Sequence, residues 1–338
     1  MKVQISNLNS GNRINWIDWS KVIAIYLVVL GHQLIKKGEE GTLHSFIYAF
    51  HMPFFFFISG FLWKGIDLPL KAVIQKGLRT LVIPYCFFHG ITFFFLIPTF
   101  ILSKQFPWDK LFYFAVADCR GEAGPCWFLI CLFQVHIIGN IVLRQSLRIQ
   151  CLVIMGSIIL AYLFPWSLWY RTDTVFMVLP FYIAGYYSKQ FFSRKTYFLL
   201  NLMICLAGGI ITGVLVDLSG LTNVYLREFG NYPALYYPMA FVGIVFLISL
   251  SKLLDSISSR VLVILSTGTI VIMGLHGIIG LYLSLFFKSV IPSLPFAGLT
   301  WKILFCLMVT FLSMIPIMFF QRYFPQLIGN RSIYGTRK

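Results

Sequence analysis

The chain has 338 residues, of which 59% are hydrophobic, 18% aromatic and only 11% charged, and its formal net charge is +16. A soluble domain carries about 25% charged residues, so this composition excludes a water-exposed globule and leaves an all-α polytopic integral membrane protein. The positive charge does not indicate nucleic acid, because the Lys and Arg residues are dispersed between apolar stretches and form no basic tract.

Apolar runs, measured against the roughly 20 residues needed to cross a bilayer, predict about ten transmembrane helices. They fall near 16–35, 44–63, 80–103, 127–143, 149–168, 174–188, 196–216, 234–251, 261–287 and 300–321. The sixth is short, and the third and ninth are long enough to contain a break. No Pro/Gly/Ser linker or internal repeat divides the chain, so residues 1–338 read as one transmembrane domain. Residues 1–15 are polar and are followed by no small-residue cleavage site, so the first span is expected to be retained.

Basic residues collect in cytoplasmic loops of membrane proteins. With ten spans and a cytoplasmic N-terminus, the inner segments hold 18 Lys and Arg against Asp18, Asp67 and Asp255, while the outer ones hold nine against eight acids. The opposite orientation reverses this asymmetry, so both termini are expected in the cytoplasm.

The first span opens Trp16-Ile17-Asp18-Trp19-Ser20-Lys21 and reaches Gly31-His32. Eleven helical residues turn about 1100°, so Lys21 and His32 share one face, about 16 Å apart along the axis. Asp18 is one turn before Lys21 and within reach of it. Two readings stand on spacing alone. Lys21 and His32 are either functional groups, as intramembrane ionisable residues are by default, or a snorkelling boundary lysine and a packing histidine.

The second span carries His51, Pro53, four consecutive phenylalanines, Ser59 and Gly60. A proline there frees backbone carbonyls and is expected to open the helix around His51, unless the segment is only a kinked packing helix. Lys76 and Arg79, three residues apart at the inner edge of the third span, can hold phosphate or anchor the span to anionic lipid.

The loop before the fourth span reads Cys119-Arg120-Gly121-Glu122-Ala123-Gly124-Pro125-Cys126-Trp127. Glu122 reads first as a solvated loop acid and Trp127 as an interfacial anchor. Cys119 and Cys126 are two thiols, or a disulfide if the loop meets an oxidising compartment. His276 is a further intramembrane histidine, whereas His89 and His136 read as structural. The histidines and acids fall at no metal-ligand spacing.

Taken together, these features resemble the membrane-bound acyltransferase-3 family, O-acyltransferases that modify bacterial surface polysaccharides. The resemblance spans nearly the whole chain. It rests on Asp-x-x-Lys at 18–21, a basic residue followed after ten residues by His (Lys21, His32), and the Pro-Phe-Phe-Phe-Phe-Ile-Ser-Gly-Phe-Leu segment at 53–62. It also rests on the Lys76/Arg79 pair, Trp127-Phe128-Leu129 and the late His276. The chain departs in having Lys at 21 and 76 where many relatives have Arg, which keeps the charge without the bidentate fork.

The resemblance implies a multi-pass protein of the bacterial inner membrane that moves an acyl group, most often acetyl, from cytoplasmic acetyl-CoA to a hydroxyl of a lipid-linked or polymeric sugar. In this reading His32 is general base or acyl carrier. Asp18 holds Lys21, and Lys21, Lys76 and Arg79 bind the donor's phosphates. His51, Ser59, Glu122, Trp127 and His276 support the site or the acceptor. The competing class is a transporter or flippase for lipid-linked sugars, which would often show two related halves.

Overall fold

The computed structural model describes residues 13–34, 38–104, 106, 108–121, 123–194, 196–291 and 298–329. The helices run α1 Asn15–Gly31, α2 Gly38–Phe61, α3 Leu70–Gly77, α4 Ile83–Ser103, α5 Trp108–Ala115, α6 Trp127–Leu143, α7 Leu147–Leu163, α8 Thr172–Tyr187, α9 Lys189–Phe192, α10 Phe198–Ser219, α11 Tyr236–Leu253, α12 Arg260–Thr267, α13 Thr269–Val290, α14 Leu299–Leu312 and α15 Met314–Tyr323. Among the described residues there is no strand, only an isolated antiparallel bridge between Asn223 and Glu228.

Among the described residues, seven helical segments are long and apolar enough to cross a membrane: Glu40–Phe61, Leu70–Pro98, Gly124–Leu143, Phe198–Ser219, Pro233–Leu253, Thr269–Val290 and Leu299–Tyr323. The other three expected spans coincide with shorter helices, α1 and α7 of 17 residues and α8 of 16. Along α10 the side chains of Leu199, Met203, Leu206, Ile210 and Val214 form an exposed apolar stripe. A stripe of that length on a soluble protein would be an aggregation surface, and in lipid it is an ordinary helix face.

Of the two long spans, the ninth is interrupted, whereas the third runs unbroken as α4 and is irregular only at its entry. Between α3 and α4 the residues Leu78–Val82 form a π-helical turn, closed by Ile83 N–H donating to the Leu78 carbonyl. Pro84 explains the slip, since it cannot donate to the carbonyl four residues back. The ninth breaks between α12 and α13 at Gly268, where a Cβ would lie 2.3 Å from the Ile317 side chain. By contrast, α2 runs through Pro53 without interruption, so the opening expected around His51 does not occur. His51 instead donates from Nδ1 to the Ile47 carbonyl at 2.8 Å, a bond within the helix.

The core is built on the crossing of α2 and α8. A Cβ on Gly60 would lie 1.9 Å from the Tyr182 carbonyl oxygen, and one on Gly185 would lie 1.9 Å from that of Phe57. Two reciprocal glycines therefore let the backbones touch, the small-residue solution used when packing replaces hydrophobic drive.

The loops sort into two ends. At one, Trp16 N–H donates to the Asp255 carboxylate at 2.8 Å, Trp19 Nε1 to the Ile257 carbonyl at 2.9 Å, and Asn140 Nδ2 to the Gly65 carbonyl at 2.7 Å. At the other, Cys119 N–H donates to the Tyr225 hydroxyl at 3.1 Å and Gln134 Nε2 to the Tyr170 carbonyl at 2.6 Å. The first grouping joins segments that charge counting puts inside, and the second joins those it puts outside.

Candidate functional site

Two cavities follow one face of α1. The face reads Ile14, Ile17, Asp18, Lys21, Ile25, Val28 and His32, spaced three or four residues apart except for the adjacent pair at 17 and 18. Its first four members line a cavity of about 400 Å³ and its last three line one of about 250 Å³. Antiparallel α2 continues both walls, with Phe61 and Leu62 on the first and His51, Met52 and Phe55 on the second.

The first cavity is cationic. Arg13, Lys21, Lys64 and Lys189 line it against the single carboxylate of Asp18. That carboxylate is already engaged: Arg13 Nη2 donates to its Oδ1 at 3.0 Å, Arg13 Nε pairs with Oδ2, and the Ser266 hydroxyl donates to Oδ1. The expected Lys21–Asp18 ion pair is not among those of the described residues; Asp18 ties α1 to α12 instead. Lys189 donates to the Trp63 carbonyl and lies 4.0 Å from the Tyr186 ring centroid. Burial lowers its pKa, and repulsion from Lys64 lowers it further. With Asp18 engaged by Arg13, the three lysines leave the lining of this cavity net positive.

The second cavity is mostly apolar, with a few convergent polar groups. His32 comes from the cap of α1, Tyr48 and His51 from α2, Cys119 and Trp127 from the loop before α6 and its first residue, and Asn223 and Tyr225 from the segment between α10 and α11. His32 is not within the helix, as the 16–35 span had it. Helix α1 ends at Gly31 and His32 caps it, its amide donating to the Val28 carbonyl at 3.2 Å, which leaves the residue exposed at the cavity. The imidazole stacks on that of His276, with centroids 5.4 Å apart and planes at 29°. His276 Nδ1 lies 3.0 Å from both the Ile272 and Met273 carbonyl oxygens. Those oxygens can only accept, so Nδ1 carries the proton and Nε2 is left as the acceptor.

The structure thus brings together His32, His51, Trp127 and, by stacking, His276, and it places Lys21 and Asp18 in the adjoining cationic cavity. The remaining sequence-derived candidates fall elsewhere. Lys76 sits 4.8 Å from the Trp63 ring centroid and lines a separate cavity of about 220 Å³ together with Ser59 and His136. Ser59 donates to the Phe55 carbonyl of its own helix at 2.7 Å. Arg79 is exposed on the π-helical turn and lines neither α1 cavity. Glu122 lies outside the described residues. Cys119 and Cys126 are both free thiols, which sets aside the disulfide. Among the described residues no group of three metal-ligating side chains occurs.

Arg13, Lys64 and Lys189 were missed by motif reading, although each lies at the end of the chain's topology that Lys21 occupies and could have been sought there. Asn223 and Tyr225 carry no sequence signal beyond their place between two spans.

A family model described as an acyltransferase domain matches residues 14–319. Two curated relatives, both called nodulation protein NolL, match over 190 residues. The Mesorhizobium japonicum protein is 30% identical over 54% of this chain and 49% of its own length. The Sinorhizobium fredii protein is 28% identical over 54% of this chain and 50% of its own. The chain therefore spans about half the length of the curated relatives it matches. No solved structure matches it.

Proposed function

Because the chain belongs to the acyltransferase-3 family, we propose that it moves an acyl group, acetyl in the first instance, from cytoplasmic acetyl-CoA to a hydroxyl of a lipid-linked or polymeric sugar. The observation that carries this reading is the pair of cavities along one face of α1, cationic at Lys21 and imidazole-bearing at His32. The protein would act in the inner membrane as one domain of ten spans with both termini inside. The separation of a basic end from the end holding Cys119, Tyr170 and Tyr225 supports that arrangement.

The phosphates of acetyl-CoA would enter the cationic cavity, where Lys21, Lys64, Lys189 and Arg13 offer charge-assisted hydrogen bonds. The pantetheine arm would then extend along Ile25 and Val28, bringing the thioester to His32. There His32 acts as general base. The acceptor hydroxyl loses its proton to the imidazole and its oxygen forms the new ester bond. The thioester C–S bond breaks, and the proton passes from imidazole to the departing thiolate. Atoms and charge balance with no metal or redox partner. His276 would hold the His32 ring by stacking, and His51 and Trp127 would shape the space beside it. Asp18, through Arg13 and Ser266, would set the height of α1. In this arrangement Lys76 and Arg79 contribute to the basic inner edge rather than to the phosphate cavity itself.

The test is transfer of radiolabelled acetyl from acetyl-CoA to cell-surface glycan in membranes containing the protein, with a His32→Ala variant beside it. Incorporation by the parent and loss in the variant, with unchanged membrane insertion, is the expected result. A fully active His32→Ala protein would remove His32 from the mechanism, and absence of label with both acetyl and succinyl donors would favour a transporter.

A further inference from the structure

The second cavity has a wall that donor binding does not require. Residues Asn223 and Glu228 exchange both backbone hydrogen bonds, each 2.9 Å, closing a short hairpin between α10 and α11. Its place is set from outside by buried charge. Asp173, wholly buried at the start of α8, receives Arg171 Nη2 at 2.9 Å and Arg227 Nε at 3.0 Å. Arg227 also donates to the Phe164 and Trp166 carbonyls at 2.6 and 3.0 Å, and Arg171 to the Tyr225 carbonyl at 2.7 Å. Both arginines hold a positive φ, 57° and 54°, a conformation that costs a non-glycine residue of order 1–3 kcal/mol and persists only where surroundings impose it. A buried pair of arginines sharing one carboxylate is weak as a source of stability. What it does here is fix one loop conformation.

The product of that fixing is the position of Tyr225 and Asn223 on the cavity. The Tyr225 hydroxyl accepts from Cys119 N–H, the Arg171 guanidinium lies 4.3 Å from its ring centroid, and the Trp127 ring stands 5.3 Å away at 60°. Asn223 Oδ1 accepts from Leu226 N–H at 3.2 Å. The carboxamide's two N–H donors are then what it can offer a ligand.

We propose that this hairpin is the acceptor-recognition element, holding a pyranose ring against Tyr225 and Trp127 with a hydroxyl on the Asn223 carboxamide, beside His32. The proposal rests on the acyl-transfer reading above and deepens it. A sugar ring has C–H faces that suit aromatic walls and hydroxyl edges that need fixed donors, the pairing of apolar lining with a few placed polar groups that such cavities use. A thioester and its alkyl arm would need only the apolar part.

Cys119 lines the same cavity, so its alkylation rate reports occupancy without any turnover. The full chain in nanodiscs would be treated with N-ethylmaleimide and read site by site by mass spectrometry, with octyl glucoside, galactoside, rhamnoside or N-acetylglucosaminide added at increasing concentration. At least one glycoside should slow Cys119 alkylation fivefold or more. Asn223→Asp, which keeps the acceptor for Leu226 but loses the donors, should raise the half-protecting concentration at least tenfold, as should Tyr225→Ala. Tyr225→Phe, which keeps the ring, should stay within threefold and so controls for loop collapse. Protection by no glycoside, equal protection by an octyl polyether, or unaltered protection in Asn223→Asp would overturn the proposal. Binding of radiolabelled acetyl-CoA to the same nanodiscs tests the donor separately, so failure of the enzymatic reading is distinguishable from failure of the hairpin.

Discussion

Replacing single cations around α1 should weaken acetyl-CoA binding in an order that geometry, not sequence motif, dictates. Lys189 lines the cavity half-buried beside Lys64 and Lys21. A hydrogen bond from such an ammonium to phosphate contributes about 1.5–3 kcal/mol, so Lys189→Met should raise the Kd roughly 10- to 150-fold. Lys64 lines the same cavity but is exposed, and an exposed ion pair contributes about 0.2–1 kcal/mol. Lys64→Gln should therefore cost at most about fivefold. Arg79 is exposed on the π-helical turn and lines neither α1 cavity, so Arg79→Gln should change Kd by less than about twofold, the long-range field being screened beyond about 8 Å at physiological salt. The assay is equilibrium binding of radiolabelled acetyl-CoA to the protein in nanodiscs, which needs no acceptor. The parent's Kd should also rise with salt, and more steeply than that of Lys189→Met. A larger loss in Arg79→Gln than in Lys189→Met would refute the cavity assignment and return the phosphates to the motif pair.

Gly60→Ala and Gly185→Ala each put a methyl 1.9 Å from a backbone carbonyl oxygen across the α2–α8 crossing, so α2 and α8 must part. Overpacking of this kind costs about 1–3 kcal/mol, read as a lower Tm in detergent for each variant, whereas Gly156→Ala, with nothing within 4 Å of its Cβ, should leave Tm unchanged. In the loop between α5 and α6 the Arg120 guanidinium beside Asp118 holds its carboxyl down to about 2, with further help from the Arg120 amide. A depressed carboxylate stabilises the fold above its unfolded value and loses that contribution as pH falls through the folded one. The Tm difference between parent and Arg120→Gln should therefore be flat from neutral pH to about 4 and shrink toward zero by about 2. A difference that grew on acidification would contradict the pairing.

What the amino-acid order determined by itself was whatever depends on local periodicity and on lipid as solvent. Each of the ten apolar runs falls on a helix or on a pair of helices meeting at a break, because a run that must satisfy its own backbone in hydrocarbon has few alternatives to helix. The register of Lys21 and His32 on one face of α1 follows from 3.6 residues per turn alone, and the two cavities do lie along that face. Local rules also misjudged the ends. They carried the first span past Gly31, and they let Pro53 open a helix that its neighbours hold closed.

Only the tertiary structure decided which residues from distant segments meet at Lys21 and at His32. Lys64 and Lys189 join Lys21 because α2 and α8 cross backbone to backbone at Gly60 and Gly185, a contact set by two small residues that periodicity does not single out. Lys76 and Arg79, which spacing put on one face, line neither α1 cavity, Lys76 facing a separate one and Arg79 lying exposed on the π-helical turn. Tyr225 and Asn223 reach the cavity through a buried carboxylate shared by two arginines from different loops. Such encounters depend on how helices pack and where loops are pinned, and neither quantity has a period along the chain.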